Sequence, residues 1–440
     1  MTDGGDQNRT RPGRNFLFLQ GLASPFFVRL GHALKDRGYG VARINLNLGD
    51  RLFWNIPGAV DYRGRFEDWR GFLARYMDER EVTDLVLFGD GRPYHRVAIA
   101  TAQLRGVRVH VFEEGYFRPN WITLEEGGVN GFSGLPRDPE TIDRIASEVA
   151  DIAAPRPISG DMRARTFWDV LYNLSQVFVP YFYPRYRRYR PNHCLVEYAG
   201  WLGRIVRKKA EAKRAKAVER MLRRGKTPAP YYLLPLQLDS DYQIRLHSPF
   251  SAMTEVVEFV ARSFAAHAPA NAKLVVKLHP LDNGLVNRRK ACHIAAQRTG
   301  LGDRLVYLDG GDGEQLVQNA AGVVVVNSTM GTMSLEKGVP TIAIGQAIYD
   351  VDGMTHQGKL ETFWTAPVAP NPERVAAFRK VVSARTQLNG GFYSREAIRI
   401  AVENSLARLT EMEPLGQQRP AAIEWAERYP DAASAAIPGE

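Results

Sequence analysis

Short apolar runs ending in glycine or polar residues alternate along this chain with longer stretches whose apolar positions recur at helical spacing. Residues 15–21 (Asn-Phe-Leu-Phe-Leu-Gln-Gly) read as a buried strand ending at a glycine turn. Ser24 and Pro25 open an amphipathic helix through Phe27, Leu30 and Leu34 that closes at Gly38. A second strand is expected at 41–46, a helix at 66–76, and a third strand at 84–88 that runs into Gly89-Asp90-Gly91. A helix at 97–104 then leads to a strand at 107–112, which delivers Glu113-Glu114-Gly115.

The alternation resumes later. Strands are expected at 231–236, 273–278, 303–308, 322–326 and 341–344, with a helix at 250–265 and a new helical turn from Leu335. The 273–278 strand contains Lys277 and runs into His279-Pro280; the 322–326 strand runs into Asn327-Ser328-Thr329. Strand–helix alternation at this spacing predicts parallel sheets with crossovers, with chemistry at the carboxyl ends of the strands. The expected organisation is a disordered start (1–14), a Rossmann-like domain (15–160), a basic helical segment (161–229), a second Rossmann-like domain (230–390), and a terminal helix and tail (391–440).

The bulk numbers fit that division. A chain of 440 residues exceeds one ordinary core. Its 45% hydrophobic and 24% charged content is that of a globular protein. The two cysteines, Cys194 and Cys292, are far apart and form neither a disulfide framework nor a zinc spacing, which fits a reducing cytoplasm. The polar first 14 residues have no apolar core of a signal peptide, and the apolar stretch 170–183 is too short and too interrupted to span a bilayer. The net charge of +10 is concentrated: residues 185–226 hold 15 Lys and Arg against three Glu, leaving the rest of the chain near neutral. A basic patch in one helical segment, interleaved with Tyr186, Tyr189, Tyr198, Trp201 and Leu202, suits an anionic membrane surface. No nucleic-acid-binding motif accompanies it.

Each candidate motif has a bland reading beside its chemical one. His279-Pro280 suits the first turn of a helix, where free N–H groups and the dipole attract phosphate, but a capping histidine with a structural proline looks the same. Ser328-Thr329, with Gly331 nearby, suits phosphate or plain N-capping. Of Glu113 and Glu114, strand alternation turns one into a cleft. Asp90 suits either catalysis or a glycine-flanked turn, and Asp241 either a site or a solvated loop. No Walker, GxSxG, HExxH or metal-ligand spacing is present, and Gly310-Gly311-Asp312-Gly313 reads as a loop.

The chain resembles the capsule polysaccharide biosynthesis proteins of Gram-negative bacteria, specifically the KpsS type, over roughly residues 16–358. The likeness is carried by Phe-Leu-Gln-Gly-Leu-Ala-Ser-Pro-Phe-Phe at 18–27, Arg-Ile-Asn-Leu-Asn-Leu-Gly-Asp at 43–50, Phe-Gly-Asp-Gly-Arg-Pro-Tyr-His at 88–95 and the block at 113–123. Blocks at 235–241, 277–280, 327–329 and 336–358 continue it in order. The resemblance implies a GT-B-like α/β fold of two Rossmann-like parallel-sheet domains with a central cleft and a basic helical insertion. It implies a retaining glycosyltransferase that moves β-Kdo (3-deoxy-D-manno-octulosonic acid) from CMP-Kdo to a (lyso)phosphatidylglycerol-type lipid. Such an enzyme begins the Kdo linker of a capsule. It needs neither metal nor cofactor, and sits peripherally on the inner face of the cytoplasmic membrane beside other capsule biosynthesis and export proteins. A CMP-sialic-acid-type transferase and a non-catalytic export accessory are the alternatives.

In such relatives a Gln-x-x-x-Asp pattern falls on Gln237 and Asp241, making Asp241 the nucleophile, and the acidic-Gly position falls on Glu114 as acid/base, with Glu113 and Asp90 as further catalytic candidates. Many relatives read Glu-Asp-Gly where this chain has Glu113-Glu114-Gly115. Lys277, His279, Pro280, Asn327, Ser328, Thr329 and Glu336 are implied on the CMP-sugar side. Gln20, Gly21, Ser24, Arg92, Arg118 and Gln237 are implied as other cleft residues.

Overall fold

The computed structural model describes residues 13–158, 161–188, 192–223, 229–239 and 242–411. Twelve strands are present among them: β1 (Asn15–Phe18), β2 (Gly40–Asn45), β3 (Val60–Asp61), β4 (Asp84–Phe88), β5 (Arg108–Glu114), β6 (Trp121–Glu126), β7 (Tyr231–Pro235), β8 (Lys273–Lys277), β9 (Leu305–Leu308), β10 (Gly322–Val325), β11 (Thr341–Ala343) and β12 (Gln387–Asn389). They form a seven-stranded sheet, β12-β6-β5-β4-β1-β2-β3, and a five-stranded sheet, β11-β10-β7-β8-β9. The α/β expectation of two Rossmann-like, mostly parallel sheets holds.

The chain divides into two compact units that do not follow its order. One takes the residues up to Val129, then Ala154–Tyr189, then those from Thr386; the other takes Asn130–Ala153 and Arg190–Arg385. The basic stretch 185–226 is therefore shared between them.

In the first unit β1 explains the layering. Its alternate side chains point to opposite faces: Phe16 and Phe18 join Phe26, Phe112 and Phe392, whereas Leu17 and Leu19 join Ile44, Trp69 and Leu85. A sheet apolar on both faces must be covered on both, which is why helices flank it. Five strands are parallel, but β6 pairs antiparallel with β5, and β12 antiparallel with β6. Neither antiparallel strand was legible in the apolar pattern. β12 is three residues long, and Gln387 earns its place through side-chain bonds: Oε1 accepts from the Tyr116 N–H at 2.9 Å and Nε2 donates to Thr123 at 3.0 Å. The Arg395–Glu411 helix follows, and its Ala401, Leu406 and Leu409 complete the core beside Phe26, Leu30 and Leu34. Arg14, expected in an unstructured start, instead binds Asp84 at 2.6 Å and donates to the Leu409 carbonyl at 2.7 Å.

The second unit is a parallel sheet. One core takes alternate residues of its strands (Leu234, Val276, Val324, Ile342) and packs them on Val257, Phe264 and Trp364. The Trp364 indole N–H donates to Ser263 at 2.9 Å, and Tyr232 donates to the Trp364 carbonyl at 2.6 Å, so neither aromatic is buried unsatisfied. The 30-residue Cys194–Arg223 helix is docked on this unit. Arg204 binds Asp309 at 3.0 Å, Arg289 pairs with Glu211 at 2.5 Å, and Glu219 accepts from the Asp312 N–H at 2.9 Å. Leu335, expected to open a helix, lies near the end of the Met330–Glu336 helix, which starts as soon as the β10 loop turns.

Candidate functional site

Parallel pairing delivers the candidate groups of the first unit to one sheet edge. β1 aligns Phe18 with Val86 of β4, and β4 aligns Phe88 with Phe112 of β5. Gln20-Gly21, Gly89-Asp90 and Glu113-Glu114 therefore leave the carboxyl ends of three neighbouring strands, the edge where open α/β sheets bind ligands. Arg92 bridges two of these loops by donating to the carbonyls of Gly21 at 2.9 Å and Gln20 at 3.4 Å.

The two glutamates have different surroundings. Glu113 turns back on the chain, where its Oε1 accepts from the Glu114 N–H at 3.0 Å and Oε2 lies over Gly89. The Glu114 carboxylate lies 3.7 Å from the Arg165 guanidinium and accepts from the Tyr393 hydroxyl at 3.4 Å. Burial, then the charge of Glu114, push the Tyr393 phenol up, so it stays protonated and remains a donor. Arg165 also stacks over the Tyr393 ring. Alternation thus separates the pair as expected, with Glu114 on the side of the cation.

Asp90 is 3% exposed and accepts from the Val129 N–H at 2.8 Å. Burial pushes its carboxyl up to about 6, with the Val129 bond pulling the other way. Ser24 and Arg118 serve the local fold: Ser24 donates to the Phe392 carbonyl and accepts from the Phe26 N–H at 3.1 Å, and Arg118 donates to the Gly115 carbonyl at 3.3 Å.

Several polar groups outside the expected site residues lie at the same edge, Arg43, Asp50 and His95 among them falling within the blocks that carry the family resemblance. Arg43, at 3% exposure in the middle of β2, donates to the Leu19 carbonyl and lies 3.6 Å from Asp50, itself buried. Burial lowers Arg43 and raises Asp50, and each resists the other's shift. Tyr172, on the Met162–Ser175 helix, accepts from Gln20 at 2.8 Å and from Asn47 at 3.1 Å. Its ring lies so close to Gly49 that a Cβ there would come within 2.4 Å. His95 is wholly buried and held at about 3 by burial and then by Arg92, hence neutral; its Nδ1 faces the Gly89 carbonyl at 2.7 Å. A charge inside an apolar strand was the available signal for Arg43. Tyr172 had none, because its partners are over 120 residues away.

In the second unit β10, β7 and β8 are neighbours, so the loops holding Asn327, Gln237 and His279 emerge side by side. Gln237 Nε2 donates to Asn327 Oδ1 at 2.9 Å, tying the first two together. The Asp241 nucleophile candidate lies outside the described residues. His279 accepts from the Leu281 N–H at Nδ1 (3.0 Å), which puts the ring proton on Nε2 as a donor. Lys277 is buried, with its ammonium 3.4 Å from the Leu278 carbonyl; desolvation lowers its pKa, and Asp309 opposes that.

One expectation here is corrected. No helix starts at Pro280: residues 280–287 are a turn followed by irregular chain, and the next helix, Arg288–Thr299, is capped by Asn287 accepting from the Lys290 N–H at 3.0 Å. Gly331 is packed on its Cβ side. The Tyr349 phenol covers it, with its oxygen 2.3 Å from where a Cβ would be, and donates to the Ser328 carbonyl at 2.6 Å. Ser328 Oγ accepts from the Met330 N–H at 3.2 Å, whereas Thr329 makes no side-chain cap bond. Glu336 lies at the opposite end of that helix, paired with Arg379.

Beside the His279 loop is a cavity of about 250 Å³ lined by Arg204, Arg207, Arg288, Arg289, Asp282 and Tyr307. Arg288 is buried and pairs with Asp239, which accepts from the Met253 N–H at 2.8 Å and so braces the loop that leads toward 241. Among the described residues, no three His, Cys, Asp or Glu side chains form a metal-binding group, and no helix is long and apolar enough to cross a membrane.

The family model for "Capsule polysaccharide biosynthesis protein" matches residues 83–393. The chain is 32% identical to "Capsule polysaccharide modification protein LipB" of Neisseria meningitidis serogroup B, over 88% of this chain and 94% of that one. It is 32% identical to "Capsule polysaccharide export protein KpsS" of Escherichia coli, over 87% and 97%. A solved structure of Thermosulfurimonas dismutans KpsC, titled a β-Kdo 2,7 transferase, is similar at a TM-score of 0.42 and 14% identity, covering 90% of this chain and 100% of that one. The chain belongs to the capsule polysaccharide biosynthesis protein family.

Proposed function

We propose that this protein is a retaining glycosyltransferase that moves β-Kdo from CMP-Kdo to a (lyso)phosphatidylglycerol-type lipid, beginning the Kdo linker of a capsule. Family membership supports the setting. The observation that carries the chemistry is the difference between the two glutamates: Glu113 is turned back on the backbone, and Glu114 is presented to Arg165 and Tyr393 at the carboxyl edge of the sheet.

In this reading the second unit holds the donor. His279 Nε2–H and the Ser328 and Thr329 groups receive the CMP phosphate, and Lys277 adds positive charge behind them. Donors aimed at the departing phosphate favour the transition state over the ground state. The Asp241 carboxylate attacks the anomeric carbon and CMP leaves. The acceptor hydroxyl then attacks the same carbon, the bond to Asp241 breaks, and Glu114 takes the hydroxyl proton. Two inversions give net retention, as in two-carboxylate glycosidases. The reading calls for no cofactor besides the donor, and places the work at the inner face of the cytoplasmic membrane.

The test is incubation of purified protein with CMP-Kdo and lysophosphatidylglycerol, with the lipid read by mass spectrometry. One added Kdo, absent with Asp241→Asn and Glu114→Gln, is expected. Turnover of CMP-sialic acid in place of CMP-Kdo would overturn the donor. Consumption of neither, with the capsule intact in cells carrying Asp241→Asn, would overturn the enzyme.

A further inference from the structure

Nine large apolar side chains are exposed among the described residues of the first unit, and seven of them fall between Met162 and Phe182. Phe167, Leu171 and Leu174 recur at spacings of four and three on the Met162–Ser175 helix, which is one stripe, and Phe178 follows in the bend after it. Tyr181, 81% exposed, and Phe182 extend it onto the short Val179–Phe182 helix. The opposite side of the same segment is anchored: Tyr172, Asn173, Ser175, Val179 and Tyr183 are buried, and Tyr172 is hydrogen-bonded to Gln20 and Asn47. The apolar stripe is thus held outward by a fixed base.

We infer that the Met162–Phe182 stripe is the element of the first unit that inserts into an anionic lipid surface. Charge supports a lipid occupant. Arg163 precedes the stripe, and Arg185 and Arg187 follow it, all three exposed. Asp161 caps the helix by accepting from the Arg163 and Ala164 N–H groups, so its charge is engaged at the helix start, and Asp169 is half-buried. Aromatic and aliphatic residues flanked by arginine match a headgroup boundary. A second copy of the chain would set like charges against each other. The inference deepens the proposed function, because the helix that carries the stripe also carries Arg165, 3.7 Å from Glu114.

The full-length protein is sedimented with vesicles of phosphatidylcholine alone and with added phosphatidylglycerol, with no donor present. The variant Leu174→Ser, Phe178→Ser, Tyr181→Ser keeps every buried residue, and its melting temperature is measured alongside. Binding to anionic vesicles is expected to fall at least about tenfold with melting unchanged. Arg185→Gln with Arg187→Gln should weaken anionic binding only. In a separate variant, Phe178→Trp, the new tryptophan should add blue-shifted emission when vesicles are mixed in. Unchanged sedimentation of the triple variant overturns the inference, as does absence of binding by the parent protein. So does a dimeric parent that the triple variant renders monomeric. Transfer to a short-chain, water-soluble acceptor separates the two ideas. Transfer without stripe-dependent binding sinks this inference alone, and stripe-dependent binding without transfer sinks the enzyme alone.

Discussion

Arg165 holds its guanidinium 3.7 Å from the Glu114 carboxylate while stacking 4.9 Å above the Tyr393 ring. A cation and a phenol donor thereby orient one glutamate of an adjacent pair, and the other is occupied by the backbone. Glu114→Gln should lower kcat by about 10²- to 10⁴-fold, the range of a general base. Glu113→Gln should cost far less, because an amide oxygen still accepts from the Glu114 N–H. Equal losses in steady-state rates would refute this division of labour.

The Gln237–Asn327 bond ties the β7 loop to the β10 loop, the two that carry the Gln-x-x-x-Asp and Ser-Thr motifs. Gln237→Ala, Asn327→Ala and the double variant form a cycle whose coupling should be about 1 kcal/mol in unfolding free energy. Additive effects would show that the loops are independent.

Asp84 is fully buried amid Arg14, Arg108 and His110, the last 2.7 Å away. Burial alone would raise its carboxyl, but the bonds from His110 and Arg14 prevail and hold it well below the usual range. A carboxyl depressed in the folded state stabilises above its ordinary value and loses that stabilisation as pH falls past about 4. Asp84→Asn should cost about 3–5 kcal/mol near neutrality, as breaking a buried ion pair does. Its loss relative to the parent should shrink in acid, as denaturant titrations at two pH values will show.

Asp90 and His95 bend the stability curve in opposite senses. His95, depressed to about 3, contributes fully above its ordinary pKa near 6.5 and loses that contribution as pH falls. Asp90, raised to about 6, contributes fully below a carboxylate's ordinary value and loses stability as pH rises through 6. Asp90→Asn keeps an acceptor for the Val129 N–H. It should therefore stabilise the protein at pH 7.5, by about 3 kcal/mol for a shift of two units, and change little at pH 4. Destabilisation at pH 7.5 would mean that the Asp90 charge itself is needed by the fold.

Much of the parallel framework was legible because buried strands announce themselves as apolar runs. β4 starts and ends where the sequence expected, and β1, β2, β7, β8 and β10 differ by a few residues at most. Polar groups at strand ends were legible where a polar residue interrupted such a run, as at Glu113, Glu114, Asn327 and His279. Contacts were illegible where the partners are distant in the chain. Nothing near Tyr172 names Gln20 or Asn47, and nothing near Gly331 announces Tyr349 above it. His279-Pro280 was misread as a helix start because proline fits turns and first helical turns equally well.

The sequence by itself determined the two α/β halves and the strand ends that carry candidate chemistry, since local burial periodicity is written in consecutive residues. Tertiary structure decided the rest. It returned Gln387 and the last described helix to the first core, gave Glu113 and Glu114 different neighbours, and left the 162–182 stripe outward. Those outcomes depend on contacts between segments far apart in the chain, and apolar spacing within one segment carries no record of its partner.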